Sequence, residues 1–85
     1  MRRTAVLTKE GPMRDVTNGD RADWASSAVQ VFAVKTGVDQ EDVYIQVKDL
    51  LTDLLHFCDR EGIVFKDVVR AARGMYEEEK ATDSP

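Results

Sequence analysis

The sequence predicts an all-α fold: a three-helix bundle or helical hairpin, dimeric, with a flexible N-terminal arm and a C-terminal tail. Three observations carry that expectation. Apolar residues recur at helical spacing after residue 20, and no convincing strand alternation competes with them. Gly37 and Gly62 stand where two helices would stop. The chain has 85 residues, 42% of them hydrophobic, which is one domain with enough apolar content to fold. That length excludes a two-domain enzyme, a Rossmann unit with a partner domain, or a barrel.

Residues 1–19 hold the short apolar run Ala5-Val6-Leu7, the turn dipeptides Gly11-Pro12 and Asn18-Gly19, and a local charge of +2. They are expected to form a flexible basic arm. A single helical domain is expected over 20–79, and a disordered tail over 80–85. The first helix, near 20–36, is capped by Asp20 with Asp23 in its first turn. Trp24, Ala28, Val31 and Phe32 give it a core-facing side. The second helix, near 39–61, starts at Asp39 and carries the stripe Val43, Val47, Leu50, Leu51, Leu54 and Cys58. The third, near 64–79, presents Phe65, Val68, Val69, Ala72 and Tyr76 on one side, despite Gly74.

An ordered unit of this size buries only about 60% of its unfolded surface, so alone it is marginal. Its second helix is also apolar beyond the main stripe, with Tyr44, Ile45, Leu55 and Phe57. Self-association as a two-fold homodimer built on that helix is therefore expected. No apolar stretch approaches the length of a membrane span, no signal-peptide core follows Met1-Arg2-Arg3, and one cysteine makes no intrachain disulfide. These features read as a cytoplasmic protein with no membrane partner.

The net charge of −4 is unevenly spread: residues 38–62 carry −5, whereas 63–75 carry +2. Asp49, Asp53, His56 and Arg60 lie at i, i+4, i+7 and i+11, hence along one line of the second helix. Asp49, Asp53 and His56 are suitable ligands for Mg2+ or Mn2+, provided that another helix completes the set. Otherwise they form a solvated face on which Asp53 contacts His56 and Arg60. Lys66, Arg70 and Arg73, at i, i+4 and i+7, make a basic stripe on the third helix, with Glu77 placed to pair with Arg73. That stripe is expected to dock on acidic residues, either a partner's or those of the second helix. Cys58, on the apolar stripe, is expected to be an inert buried thiol. Trp24 and Tyr76 are expected to anchor the core; exposed, they would instead mark an interface.

The segment AVKTGVDQEDVY has helix-turn-helix spacing at Ala33, Gly37 and Val43. Its would-be recognition helix opens with Asp39, Glu41 and Asp42, which disfavours contact with phosphates, and Gln46 stands where that motif wants an apolar residue. DNA binding is accordingly not the favoured expectation.

QVKDLLTDLLHFCDREGI resembles the metal helix of the all-α MazG-type nucleoside triphosphate pyrophosphohydrolases. Asp49 matches that family's aspartate, but Gln46 replaces its first glutamate, and Trp24 to Thr36 contains no acid to supply the upstream carboxylates. The likeness implies a degenerate metal-dependent nucleotide-binding protein or pyrophosphohydrolase as the alternative function. DLLTDLLHFCDREGI followed by ARGMYEEE resembles small uncharacterised bacterial and phage-type helical proteins. That resemblance implies a compact helical unit with no assigned activity; it also points to a mobile-element origin, where small acidic proteins often act as regulators or inhibitors by binding and blocking a host protein. With no catalytic or nucleotide-binding motif complete, the leading expectation is a protein–protein interaction module without cofactor, more binder than enzyme. Its expected interaction surface is Asp49, Asp53, His56, Arg60, Lys66, Arg70 and Arg73.

Overall fold

The structure, a computed structural model, describes residues 16–82 and is all-α. Helices α1 (Asn18–Thr36), α2 (Val43–Glu61) and α3 (Phe65–Thr82) follow one another without a strand among the described residues. Most of the expected arm (residues 1–15) and the last three residues of the expected tail lie outside them.

Each helix boundary has a local cause. Thr17, not Asp20, caps α1: its hydroxyl accepts from the Asp20 amide at 3.1 Å, while the Asp20 carboxylate accepts from the Thr17 amide at 3.0 Å. That reciprocal box satisfies two donors that a helix start would otherwise leave open, and it moves the helix two residues ahead of the expected start. Asp42, not Asp39, caps α2, with its carboxylate accepting from the Tyr44 amide at 3.2 Å. The start of α3 has no side-chain cap of this kind. The Val64 carbonyl receives the Asp67 and Val68 amides, and Asp67 adds negative charge near the positive helix end. α3 also runs through Lys80, Ala81 and Thr82, residues expected to belong to the tail.

The two interhelix turns share one construction. Gly37 and Gly62 have φ of 81° and 73°, the left-handed region that costs a residue with a Cβ about 1–2 kcal/mol. The amide of the residue after each glycine then reaches back: Val38 to the Ala33 carbonyl and Ile63 to the Cys58 carbonyl, both at 2.8 Å. This six-to-one bond, with the glycine amide bonding one residue later, closes the open carbonyls of a helix end. Ala33 and Cys58, the acceptors, are also the two buried hydrophobic residues among those described, at 1% and 6% exposure.

The first turn is further held by Gln46. Its side-chain amide donates toward the carbonyls of Val38 (3.2 Å), Asp39 (3.3 Å) and Glu41 (3.0 Å), tying α2 to the loop that precedes it. The third junction is polar. Asn18 donates to the Glu79 carbonyl at 3.2 Å, and Arg21 reaches the Glu79 carboxylate at 3.2 Å, so the start of α1 meets the end of α3.

The middles of the helices are sparsely covered. Trp24 and Tyr76 are 61% and 52% exposed, so the expectation that they anchor a core is overturned. Val31, expected beside Trp24 on the core face of α1, is exposed as well. The residue of α1 that does go inside is Ala33, on a different face, because that face carries the carbonyl and the small side chain against which the turn closes.

Removing the Gln46 amide should lower stability. For Gln46→Ala we expect a loss of about 1–2 kcal/mol in urea unfolding at one fixed protein concentration. Gln46→Glu should cost more, because a carboxylate would face three carbonyl oxygens. Gly37→Ala should cost about 1–2 kcal/mol in the same assay, through the left-handed backbone alone.

Candidate interaction surface

Two kinds of surface were expected on α2 and α3, a polar one and an apolar one. The polar line of α2 does not assemble as a ligand set. Asp49 is half-buried, and its carboxylate lies 3.3 Å from the Lys48 ammonium. Arg60 turns away from Asp53 and His56: its guanidinium lies over the Phe57 ring, 5.2 Å from the centroid, and 3.3 Å from the Glu61 carboxylate. Asp53 and His56 are exposed. Among the described residues, no three His, Cys, Asp or Glu side chains stand together as a metal ion requires. Gln46, at the position of the missing glutamate, is engaged with the turn carbonyls. Its chemistry there is that of a donor, which a metal-binding carboxylate cannot supply.

The basic stripe of α3 is present and exposed. Arg70 is 3.4 Å from Asp67, and Arg73 is 3.8 Å from Glu77, the latter pair as expected. Both arginines nonetheless keep most of their side chains in water, where such i,i+3 and i,i+4 pairs contribute only a few tenths of a kcal/mol. Lys66 has no ion pair among the described residues. The ion pairs between one described residue and another run within one helix, except for Arg21–Glu79 between α1 and α3. None joins α2 to α3.

The apolar surface is the larger feature. On α2, Val47, Leu51, Leu54 and Leu55 are exposed along one stripe, with Phe57 at its border. On α3, Val68, Val69, Met75 and Tyr76 are exposed. A groove between α1 and α2 is lined by Ala22, Ala25, Ser26 and Val29 on one side and Val43 and Val47 on the other. Small side chains on the α1 wall leave it open to another chain's side chains.

Charge of both signs borders the apolar stripes. On α2, Asp53 lies one turn before Phe57 with Arg60 beside it, and Asp59 lies one turn after Leu55 with Lys48 beside it. On α3, Arg73 lies one turn after Val69, with Lys66 and Glu77 near the same edge, while Arg70 falls farther round the helix. Cys58 is a buried free thiol at the second turn, in keeping with the inert role expected of it.

Sequence reasoning found both stripes but missed two residues that shape the surface. Gln46 read as a defect in two motifs, and only the turn explains it. Arg60 read as part of the polar line, although a neighbouring Phe57 one turn back and an adjacent Glu61 were visible competitors. Comparison with protein-family models, curated proteins and solved structures finds no match for this chain. Among the described residues, no helix is long and apolar enough to cross a membrane.

Because the carboxylates of α2 do not converge, millimolar Mg2+ or Mn2+ should leave the melting temperature unchanged within about 1 °C. Asp49→Ala/Asp53→Ala should show the same indifference to either ion in the same scan. A reproducible upward shift in the parent protein, lost in the variant, would restore the metal-dependent nucleotide reading.

Proposed function

We propose that this protein is a protein–protein interaction module that works as a homodimer, with α2 as its principal binding surface. The observation that carries the reading is the exposure of the α2 and α3 apolar stripes, while among the described residues the buried hydrophobic ones are Ala33 and Cys58. Among the described residues, Ala33 and Cys58 with half-buried neighbours such as Phe32, Leu50 and Phe65 offset little of the cost of ordering three helices, at about 1–2 kcal/mol per residue of backbone entropy. Covering Leu51, Leu54, Leu55, Val68 and Val69 supplies what is missing, at about 25 cal/mol per Å² of apolar area buried.

Trp24 and Tyr76, large and exposed, are of the residue types that concentrate binding energy at interfaces. The acidic charge of the α2 region favours encounter with basic surfaces over acidic ones. Among the described residues, Asp49, Asp53 and His56 do not gather into a group that could hold a metal ion.

Sedimentation equilibrium at tens of micromolar should give twice the chain mass of 9.6 kDa. Leu51→Gln/Leu55→Gln should weaken that association at least tenfold. In a lone chain both side chains already meet water, so their replacement should cost it no more than about 0.5 kcal/mol each. A monomeric parent protein at these concentrations would overturn the proposal.

A further inference from the structure

We infer that α2 pairs antiparallel with α2 of a second copy of this chain, in the register that sets Lys48 of each copy against Asp59 of the other. The inference rests on the dimer proposed above and deepens it, by fixing which helices meet and in which direction.

Five residues define the contact. Tyr44, Lys48, Leu51, Leu55 and Asp59 stand at i, i+4, i+7, i+11 and i+15, so they share one side of α2, and all five are exposed. Over its first two turns α2 faces the rest of the chain with another side, where Ile45, Gln46, Asp49 and Leu50 are half-buried. Lys48 and Asp59 border the two leucines on the same edge with opposite signs. They stand about 16 Å apart along the helix, so they cannot meet within one chain. Asp59 has no charged partner among the described residues, and Lys48 has only Asp49, its neighbour in sequence, at 3.3 Å. A second copy offers each of them the partner that its own chain withholds.

Sign then selects the direction. A two-fold axis perpendicular to both helices runs them antiparallel and keeps each edge of the stripe beside the same edge of the other copy. With that axis midway between Lys48 and Asp59, each lysine lies across from the other copy's aspartate, twice per dimer. The same axis lays Leu51 against Leu55 of the other copy to within one residue, so the apolar and the charged matches require a single register. A parallel pair in register sets Lys48 on Lys48 and Asp59 on Asp59, and sliding the antiparallel pair by a turn loses leucines and ion pairs together. Asp53 and Arg60 lie round the helix from this line, beyond Phe57, and take no part. On α3 the acid of the corresponding edge, Glu77, already lies 3.8 Å from Arg73 of its own helix. Leucine burial supplies the affinity of the contact, and the flanking charges fix its orientation.

Exchanging the charges tests the pairing. Lys48→Glu and Asp59→Lys each set like charges against each other at both contacts, and sedimentation equilibrium should show association about tenfold weaker than the parent's. Asp59→Lys should weaken it even though it brings the net charge from −4 to −2, which by itself favours association. Lys48→Glu/Asp59→Lys in one chain should recover to within about threefold of the parent. An equimolar mixture of the two single variants should recover as well, since its mixed dimer restores opposite charge at both contacts. Lack of recovery, the result expected were the stripe covered by α3 or any other surface, would overturn the inference and leave the dimer standing. Single variants that associate like the parent would overturn it too. If either single variant loses its far-ultraviolet helical signal, Lys48→Gln and Asp59→Asn take their place. Each should weaken association about threefold, and both in one chain no further than one alone, because either removes the same contact. Additive losses would overturn the inference. A monomeric parent would remove the dimer itself, and this contact with it.

Discussion

The six-to-one bonds at the two glycine turns are the constraint on which the rest of this structure depends. Val38 reaching the Ala33 carbonyl and Ile63 reaching the Cys58 carbonyl set the directions in which α2 and α3 leave their predecessors. The acceptor residues are at the same time the two buried hydrophobic side chains among the described residues. Order is thus concentrated at the ends of the helices, where hydrogen bonds close, and is thin along their lengths, where side chains would normally interlock. Hydrogen bonds of this kind contribute about 1 kcal/mol each, far less than the entropy of three ordered helices. The imbalance is why exposed Leu51, Leu54, Val68 and Val69 matter more to a functional reading than any polar group.

Gln46 illustrates how a structural duty can be mistaken for a damaged functional motif. In one frame its position calls for a glutamate that binds metal, and in another for an apolar residue between two DNA-binding helices. The turn requires neither. Three carbonyl oxygens point toward one place, and the side chain there must donate. A carboxylate would set acceptor against acceptor, and an aliphatic chain would leave the carbonyls to water alone. The amide is therefore explained by the path of the chain from Gly37 to Asp42.

The existence and order of the helices could be read from apolar spacing, and their ends from Gly37 and Gly62, because both signals are local. Their beginnings could not. Asp39 and Asp42 are both able to cap, and the choice between them depends on how long a loop Gln46 can hold, a relation that spans several residues. Thr17 outcompetes Asp20 because the two act together, with the aspartate inside the helix instead of before it. The interior was the least legible part. An amphipathic stripe says that a face is to be covered but not by what, so Trp24 read as a core residue until its exposure was known. On the site, the basic edge of α3 and its Arg73–Glu77 pair were visible at the level of spacing. The departure of Arg60 toward Phe57 and Glu61 was not, since it turns on a contest among neighbours.

The glycine turns also bear on how quickly this chain finds its shape. Their bonds connect residues only five positions apart, and Gln46 reaches back at most eight. Loops that short close within tens of nanoseconds, and helices propagate within about a microsecond. Among the hydrogen bonds and ion pairs of the described residues, those of Asn18 and Arg21 with Glu79 span the longest stretch of chain. Such a topology gives the isolated chain little to wait for. If covering the apolar stripes requires another molecule, the slow event in reaching the native state is a collision, and its rate rises with the abundance of the protein.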